Sequence, residues 1–240
     1  MKVFKCEVIS MRNRITALFI ALSVLICALA PSALASGELR IDPTGRSIGY
    51  SAVVYDNTNG LPTAEANCIA ETSEGFIWIG GYSGLIRYDG LSFERYDSTT
   101  GIASVVSLFV DSKDRLWVGT NDSGIGCIER GELRMWTKHD GLGADSVRAI
   151  TEKGSRIYIA TTQGVSYIEE DSMTLCRVDE SRINEEYIRD LKVGAGFLYG
   201  VTMDGEVFMM DEGGIKAYFK DGELGIEGVR TVLPDAENPG

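Results

Sequence analysis

One histidine, His139, occurs in the 240-residue chain. Neither a Ser-His-Asp set nor a histidine-based metal cluster can be assembled around it in the usual way. It sits in "WTKHDGL", between apolar runs, where a solvated loop residue is expected. Two acidic groups, Asp111/Asp114 and Glu169/Glu170/Asp171, have the carboxylates that glycoside hydrolysis or calcium binding would use. The first lies in "DSKDR", a short turn in which Asp serves local hydrogen bonding, and the second lies at the end of an apolar run. The glycine-rich pieces "GGYSG" and "NDSGIG" lack the lysine and the strand-to-helix context that cradle a phosphate. Two-residue turns between antiparallel strands are the reading that fits them. No catalytic residue, no metal site and no cofactor are expected.

The charge balance narrows the partners. With 23 Lys/Arg against 35 Asp/Glu the formal charge is −12, which disfavours nucleic acid and anionic membrane surfaces. Glycine is in excess, 28 residues against roughly 17 for an average composition. Only 5 prolines accompany it, so the surplus belongs to many tight turns and not to low-complexity sequence.

Residues 1–35 have the three parts of an export signal. Lys2, Lys5, Arg12 and Arg14 precede the unbroken apolar run "ITALFIALSVLICALA" (15–30), and Ala33-Leu34-Ala35 follows. A cleaved signal peptide is the first reading, and a retained N-terminal membrane anchor the second. The 16-residue run is short of the ~20 residues needed to span. Beyond residue 35, Cys68, Cys127 and Cys176 remain, an odd number with no close pair. An exported chain without a disulfide scaffold follows, its cysteines acting as small buried side chains.

What positions these residues is a repeat of about 41 residues. "FIWIGGYSGLIRYDG" (76–90) is echoed by "RLWVGTNDSGIGCIERG" (115–131), "RIYIATTQGVSYIEE" (156–170) and "FLYGVTMDGEVFMMDEG" (197–213). The landmark aromatics are Trp78, Trp117, Tyr158 and Tyr199, with small Gly80, Gly119 and Ala160 two positions after the first three. A second landmark, an aromatic five residues before a glycine, recurs at Tyr55, Tyr96 and Trp136. From Val147 onward Arg148, Arg189 and Arg230 keep the same register, 41 apart, although no arginine cluster can be picked out as a site.

Each unit holds four short runs rich in β-branched and aromatic residues, as in "NCIAET", "FIWIGG", "LIRYDG" and "FERYD". Such runs are too short for helices. Four antiparallel strands in about 40 residues make one blade of a β-propeller. The expected fold is therefore all-β, a propeller of four-stranded antiparallel blades that is incomplete here, with about four blades and the start of a fifth. Blades are expected at about 59–99, 100–139, 140–180 and 181–220, with the next beginning at 221–240. Residues 49–58 ("YSAVVYDN" with its flanks) are read as an outer closing strand. The missing inner strands leave an exposed edge, so the chain is expected to be the N-terminal part of a longer protein or a truncated gene product.

These residues resemble the two-component regulator propeller repeat. "NGLP", "NCIA", "EGFIWIG", "GLIRYDG" and "FERY" in repeat one match its pattern most closely. Repeat two keeps Trp-Val-Gly-Thr but has "GIGCIERG" in place of Tyr-Asp-Gly, and repeats three and four carry Tyr for Trp. The resemblance spans about 50–235. It implies an extracytoplasmic sensor region leading through the membrane to a histidine kinase or diguanylate cyclase output. It also implies a carbohydrate or other small extracellular ligand, with dimerisation through the full-length sensor. A secreted binding propeller without output, and a propeller lyase or glycosidase, are the alternatives.

Up-and-down strand order puts the turn between strands two and three on the same face as the connections between blades. That face carries Tyr82, Ser83, Asn121, Asp122, Ser123, Thr162 and Gln163, together with connections at Thr99-Thr100 and Lys138-His139-Asp140. These positions vary from unit to unit while Trp78, Gly80 and Leu85 recur, so specificity is expected in the former and scaffold in the latter. An exposed Tyr82 beside neutral hydroxyls and amides suits a sugar.

Overall fold

The computed structural model describes residues 53–63, 65–96 and 101–234, and these contain four separate four-stranded antiparallel sheets. The first is β1 (Cys68–Glu71), β2 (Ile77–Gly81), β3 (Gly84–Tyr88) and β4 (Phe93–Tyr96). The second is β5 (Val105–Val110), β6 (Leu116–Thr120), β7 (Ile125–Glu129) and β8 (Glu132–Trp136). The third runs through β9 (Val147–Lys153), β10 (Arg156–Thr161), β11 (Val165–Glu169) and β12 (Thr174–Arg177). The fourth runs through β13 (Ile188–Gly194), β14 (Phe197–Thr202), β15 (Val207–Asp211) and β16 (Gly214–Phe219). Strand order is sequential in every sheet, so each is an up-and-down blade. The innermost strands β1, β5, β9 and β13 adjoin one another in that order, as in a propeller whose ring is not closed.

The core lies between the sheets. Trp78 and Leu85 of the first pack against Val105, Leu116, Val118 and Ile128 of the second. Trp117, Ile125 and Cys127 meet Val147, Ile157 and Ile159 of the third, and Tyr158 and Val165 meet Ile188, Leu191 and Phe208 of the fourth. The landmark aromatic of each of the first three blades is thus the side chain pressed onto the next blade. Tyr199 in the fourth sheet is only half-buried, as are Ile77 and Ile79 on the opposite side of the first, while "LWVGT" in the second is buried throughout. Strands covered on both faces read as continuous apolar runs.

Gly80 and Gly119 have a specific reason to be glycine. A Cβ on Gly80 would lie 2.4 Å from Val105 Cγ1, and one on Gly119 would lie 2.7 Å from Val147 Cγ1. Close approach of the next blade's innermost strand, together with Cys68 and Ser107 of the same blades, selects the missing side chain here.

The leader at 1–35 lies outside the described residues. Of the outer strand expected over 49–58, residues 49–52 lie outside them as well, and 53–58 enter no sheet. Tyr55 there rests on the first sheet, its ring 5.2 Å from Phe93 and 5.6 Å from Tyr88, with the two tyrosine hydroxyls 3.0 Å apart. Residues 221–234 form turns and extended chain without a strand, tied to β13 by Thr231 Oγ1 donating to Asp190 Oδ2 at 2.5 Å.

Candidate functional site

The turns between second and third strands share one face with the inter-blade connections, and backbone hydrogen bonds join the two. Asn121, Thr162 and Met203, each just past a second strand, donate their N–H to the carbonyls of Ser104, Ser146 and Tyr187, each just before or at the start of that blade's innermost strand. Gly124 and Gly164 donate to Asp145 and Glu186 in the connections leading to the following blade. This loop face is therefore a set of turns held by main-chain bonds. Rigidity of that kind is what a binding surface needs.

A buried threonine closes the turn in the second, third and fourth blades, where the first has Gly81. Thr120 Oγ1 donates to Gly124 O at 2.8 Å and accepts from Ser123 N, and Thr161 Oγ1 donates to Gly164 O at 2.9 Å and accepts from Gln163 N. Thr202 Oγ1 accepts from Glu206 N in the fourth blade. Their 41-residue spacing was present in the sequence, but nothing in it distinguishes a hydroxyl turned back on the main chain from one facing solvent.

The expected ligand residues all lie on these turns, in three different blades. Tyr82 is 62% exposed and enters no hydrogen bond or ring contact among the described residues. Ser83 offers its carbonyl to Arg95, which donates from Nη2 at 2.8 Å. Asp122 Oδ1 accepts from the Ser123 hydroxyl at 2.9 Å, and the Gln163 carbonyl accepts from Arg177 Nη2 at 3.2 Å. Asn121 is bound across blades, its Oδ1 accepting from Arg148 Nη2 of the third blade at 3.0 Å. Thr99 and Thr100 lie outside the described residues. Lys138, His139 and Asp140 form a 3-10 turn capped by Thr137, whose N–H and hydroxyl donate to Asp140 and hold that carboxyl below the usual range.

Two residues that the sequence treated as register marks stand inside this face. Arg148 and Arg189 each occupy an extra, unpaired position at the start of an innermost strand, where the ladder skips from Val147 to Ala149 and from Ile188 to Asp190. β5 has the same bulge at Val106. A bulge re-aims the side chain it carries. Arg148 reaches Asn121 on one side and lies 5.2 Å from the Tyr187 ring centre on the other. The recurrence of the arginines was readable, whereas the bulge that places them was not.

On the opposite, back face the acidic groups are absorbed into the scaffold, apart from the exposed Asp171. Asp111 Oδ2 accepts from Arg115 Nε at 2.6 Å and from Trp117 Nε1 at 2.7 Å, and Arg115 Nη2 donates to Glu170 Oε2 at 3.0 Å. Lys113 Nζ lies 2.7 Å from Glu170, which raises the lysine's pKa. Asp114 accepts from the hydroxyl and N–H of Ser73 in the first blade, and these bonds hold its carboxyl low. A cleft of about 620 Å³ opens on this side between the first two blades, its walls including the repeat's own Trp78, Leu116 and Ile128. Those walls are packing residues, so the loop face and not this cleft is the candidate site. Among the described residues no group of three or more His, Cys, Asp or Glu is arranged to hold a metal ion.

Residues 60–83 and 102–122 match the family described as "Two component regulator propeller". The chain carries two-component regulator propeller repeats, as the "EGFIWIG" and "RLWVGT" motifs indicated. Among solved structures it is similar to an extracellular domain assigned to a hybrid two component system of B. thetaiotaomicron. That likeness has a TM-score of 0.60 and 21% identity over 68% of this chain and 24% of the other. A second extracellular domain from B. thetaiotaomicron, assigned to a one component system, gives 0.58 and 19% over 72% and 26%. A streptogramin B lyase gives 0.54 and 15% over 67% and 56%. The chain spans about a quarter of the length of the first two, and at these identities the likeness is one of fold. No curated protein matches the chain.

Proposed function

We propose that this chain is the ligand-sensing β-propeller of a membrane-bound bacterial signalling protein, lying outside the cytoplasm, with the loop face as its reading surface. The observation that carries the proposal is the match of two successive repeats to the two-component regulator propeller. The two fold-level relatives described as extracellular domains of signalling systems support the same reading, as does the export-type leader at 1–35. The output is a histidine kinase or a diguanylate cyclase.

The ligand is a carbohydrate or a similar small molecule, taken at Tyr82, Ser83, Asn121, Asp122, Ser123, Thr162 and Gln163. Tyr82 offers an exposed ring for stacking, and the others offer neutral or singly charged hydrogen-bonding groups on turns already fixed by the main chain. The lyase fold likeness does not favour an enzyme, because Asp111 and Glu170 are engaged with Arg115 and Lys113, and Asp114 with Ser73.

A glycan-array screen of the intact propeller, with and without Tyr82→Ala, tests the face. Saccharide binding that weakens severalfold in the variant is expected. Unchanged binding by the variant would remove Tyr82 and the loop face from the reading.

A further inference from the structure

We infer that Arg148 and Arg189 form an oxyanion site at the inner edge of the loop face, taking the carboxylate or sulfate group of an acidic ligand. The inference rests on the loop face being the reading surface and adds the charge of what it reads.

Four observations converge. First, both arginines occupy the same bulged position on adjoining innermost strands, β9 and β13, so they recur around the propeller axis. Arg230 continues the spacing and is exposed. Second, neither arginine has a carboxylate within ion-pair distance among the described residues, although acids outnumber bases 35 to 23 in the chain. Nearby acids of this face are turned to other partners: Asp145 Oδ1 accepts from Lys138 N at 2.6 Å, Asp122 from Ser123, and Asp190 from Thr231 and Lys192.

Third, the acceptors these arginines do find are weak or neutral. Arg189 Nη2 has only Met203 Sδ, at 2.8 Å, and Arg148 Nη2 has the Asn121 amide oxygen. Fourth, Nε of each is buried and has no hydrogen-bond partner among the described residues. A half-buried guanidinium without an anion is costly, and a folded chain retains one where an anion is to come. Among the described residues the other arginines that are not exposed are neutralised: Arg87 by Glu94, Arg115 by Asp111 and Glu170, and Arg156 by Glu169. The exposed Arg95, Arg134 and Arg177 of the outer strands donate only to backbone carbonyls. A planar fork of donors matches carboxylate or sulfate geometry, and the Tyr187 ring beneath Arg148 keeps that fork oriented.

The test is isothermal titration of the whole encoded protein with three probes: an oligogalacturonate, inorganic sulfate and an uncharged oligosaccharide of the same length. The proteins are wild type, Arg148→Gln, Arg189→Gln, the double variant, Tyr82→Ala and Arg130→Gln, the last neutralising an exposed arginine on the back face. Circular dichroism establishes that each is folded. Expected are binding of oligogalacturonate that sulfate competes and salt weakens, a loss of about tenfold or more for each loop-face arginine, and no change for Arg130→Gln. Oligogalacturonate binding that survives in the double variant overturns the site, as does a folded wild type that binds neither anion. Equal binding of the uncharged oligosaccharide, lost in Tyr82→Ala but kept in the arginine variants, overturns the oxyanion site and leaves the loop-face reading standing.

Discussion

Trp117 donates its indole N–H to Asp111 at 2.7 Å, and its counterpart one blade earlier, Trp78, has a buried indole N–H with no partner among the described residues. The repeat explains the difference. Asp111, Arg115 and Trp117 occupy the register of Thr72, Phe76 and Trp78. In the first blade the Asp–Arg pair has become Thr and Phe, and both the Thr72 hydroxyl and the Trp78 nitrogen are left unsatisfied. The carboxylate that looks most like a catalyst in the sequence is thus the anchor of one blade's landmark tryptophan.

Asp111→Ala is accordingly expected to destabilise strongly. It strands the buried Arg115 and the Trp117 N–H together, and breaking such a pair costs about 3–5 kcal/mol. Glu170 still compensates Arg115, which favours the lower end, about 3 kcal/mol. Urea unfolding measures it, and a loss below about 1 kcal/mol would mean the cluster is not structural.

Gly119→Ala is expected to cost about 1–3 kcal/mol by overpacking, because the new methyl meets Ser107 Oγ and Val147 Cγ1. The third blade already shows the remedy, with Ala160 paired opposite Ala149 where the second has Gly119 opposite Ser107. Adding Ser107→Ala should therefore recover part of the loss. A double variant no more stable than Gly119→Ala would show that the Val147 contact alone decides the position.

The cysteines give a test of packing that does not depend on mutation. Burial pushes the Cys68 thiol up to about 11 and the Cys127 thiol up to about 12, and neither forms a disulfide. At pH 8 both stay protonated in the folded protein, where only the thiolate reacts. Alkylation should proceed slowly until denaturant is added. Rapid native-state labelling of Cys127 would contradict its place in the core between the second and third blades.

Acid should weaken one link between blades in a defined direction. The Ser73 hydroxyl, then its N–H, hold the Asp114 carboxyl below its ordinary value of 3.8. A group whose folded pKa is depressed contributes stability that is full above its unfolded pKa and is lost as the pH falls through the folded one. Wild type should therefore exceed Asp114→Asn in stability at pH 7, and the gap should close below about pH 3.8. Thermal melts across that range check it, and a gap that stays constant with pH would assign the effect to something other than the carboxylate.

Particular residues show where sequence reading stopped. Trp78, Trp117 and Tyr158 announced the blades, because a side chain that packs on the next copy of its own unit must recur with that unit. Tyr82 and Ser83 could be assigned to the loop face because strand alternation alone fixes which turns share a side. Arg148 and Arg189 could be counted but not placed, since an unpaired residue in a strand leaves the composition unchanged and alters only its aim. The Asp111–Arg115–Glu170 cluster joins two blades 55 residues apart in sequence, from Arg115 to Glu170, a contact that no local pattern encodes.

The side of the membrane on which these blades fold is the most direct test of the account. Alkaline phosphatase, active only where its disulfides form, is fused after Gly240 and expressed with and without residues 15–30. High phosphatase activity that disappears when the apolar run is deleted is expected. A full-length fusion that accumulates intact but inactive in the cytoplasm would contradict it.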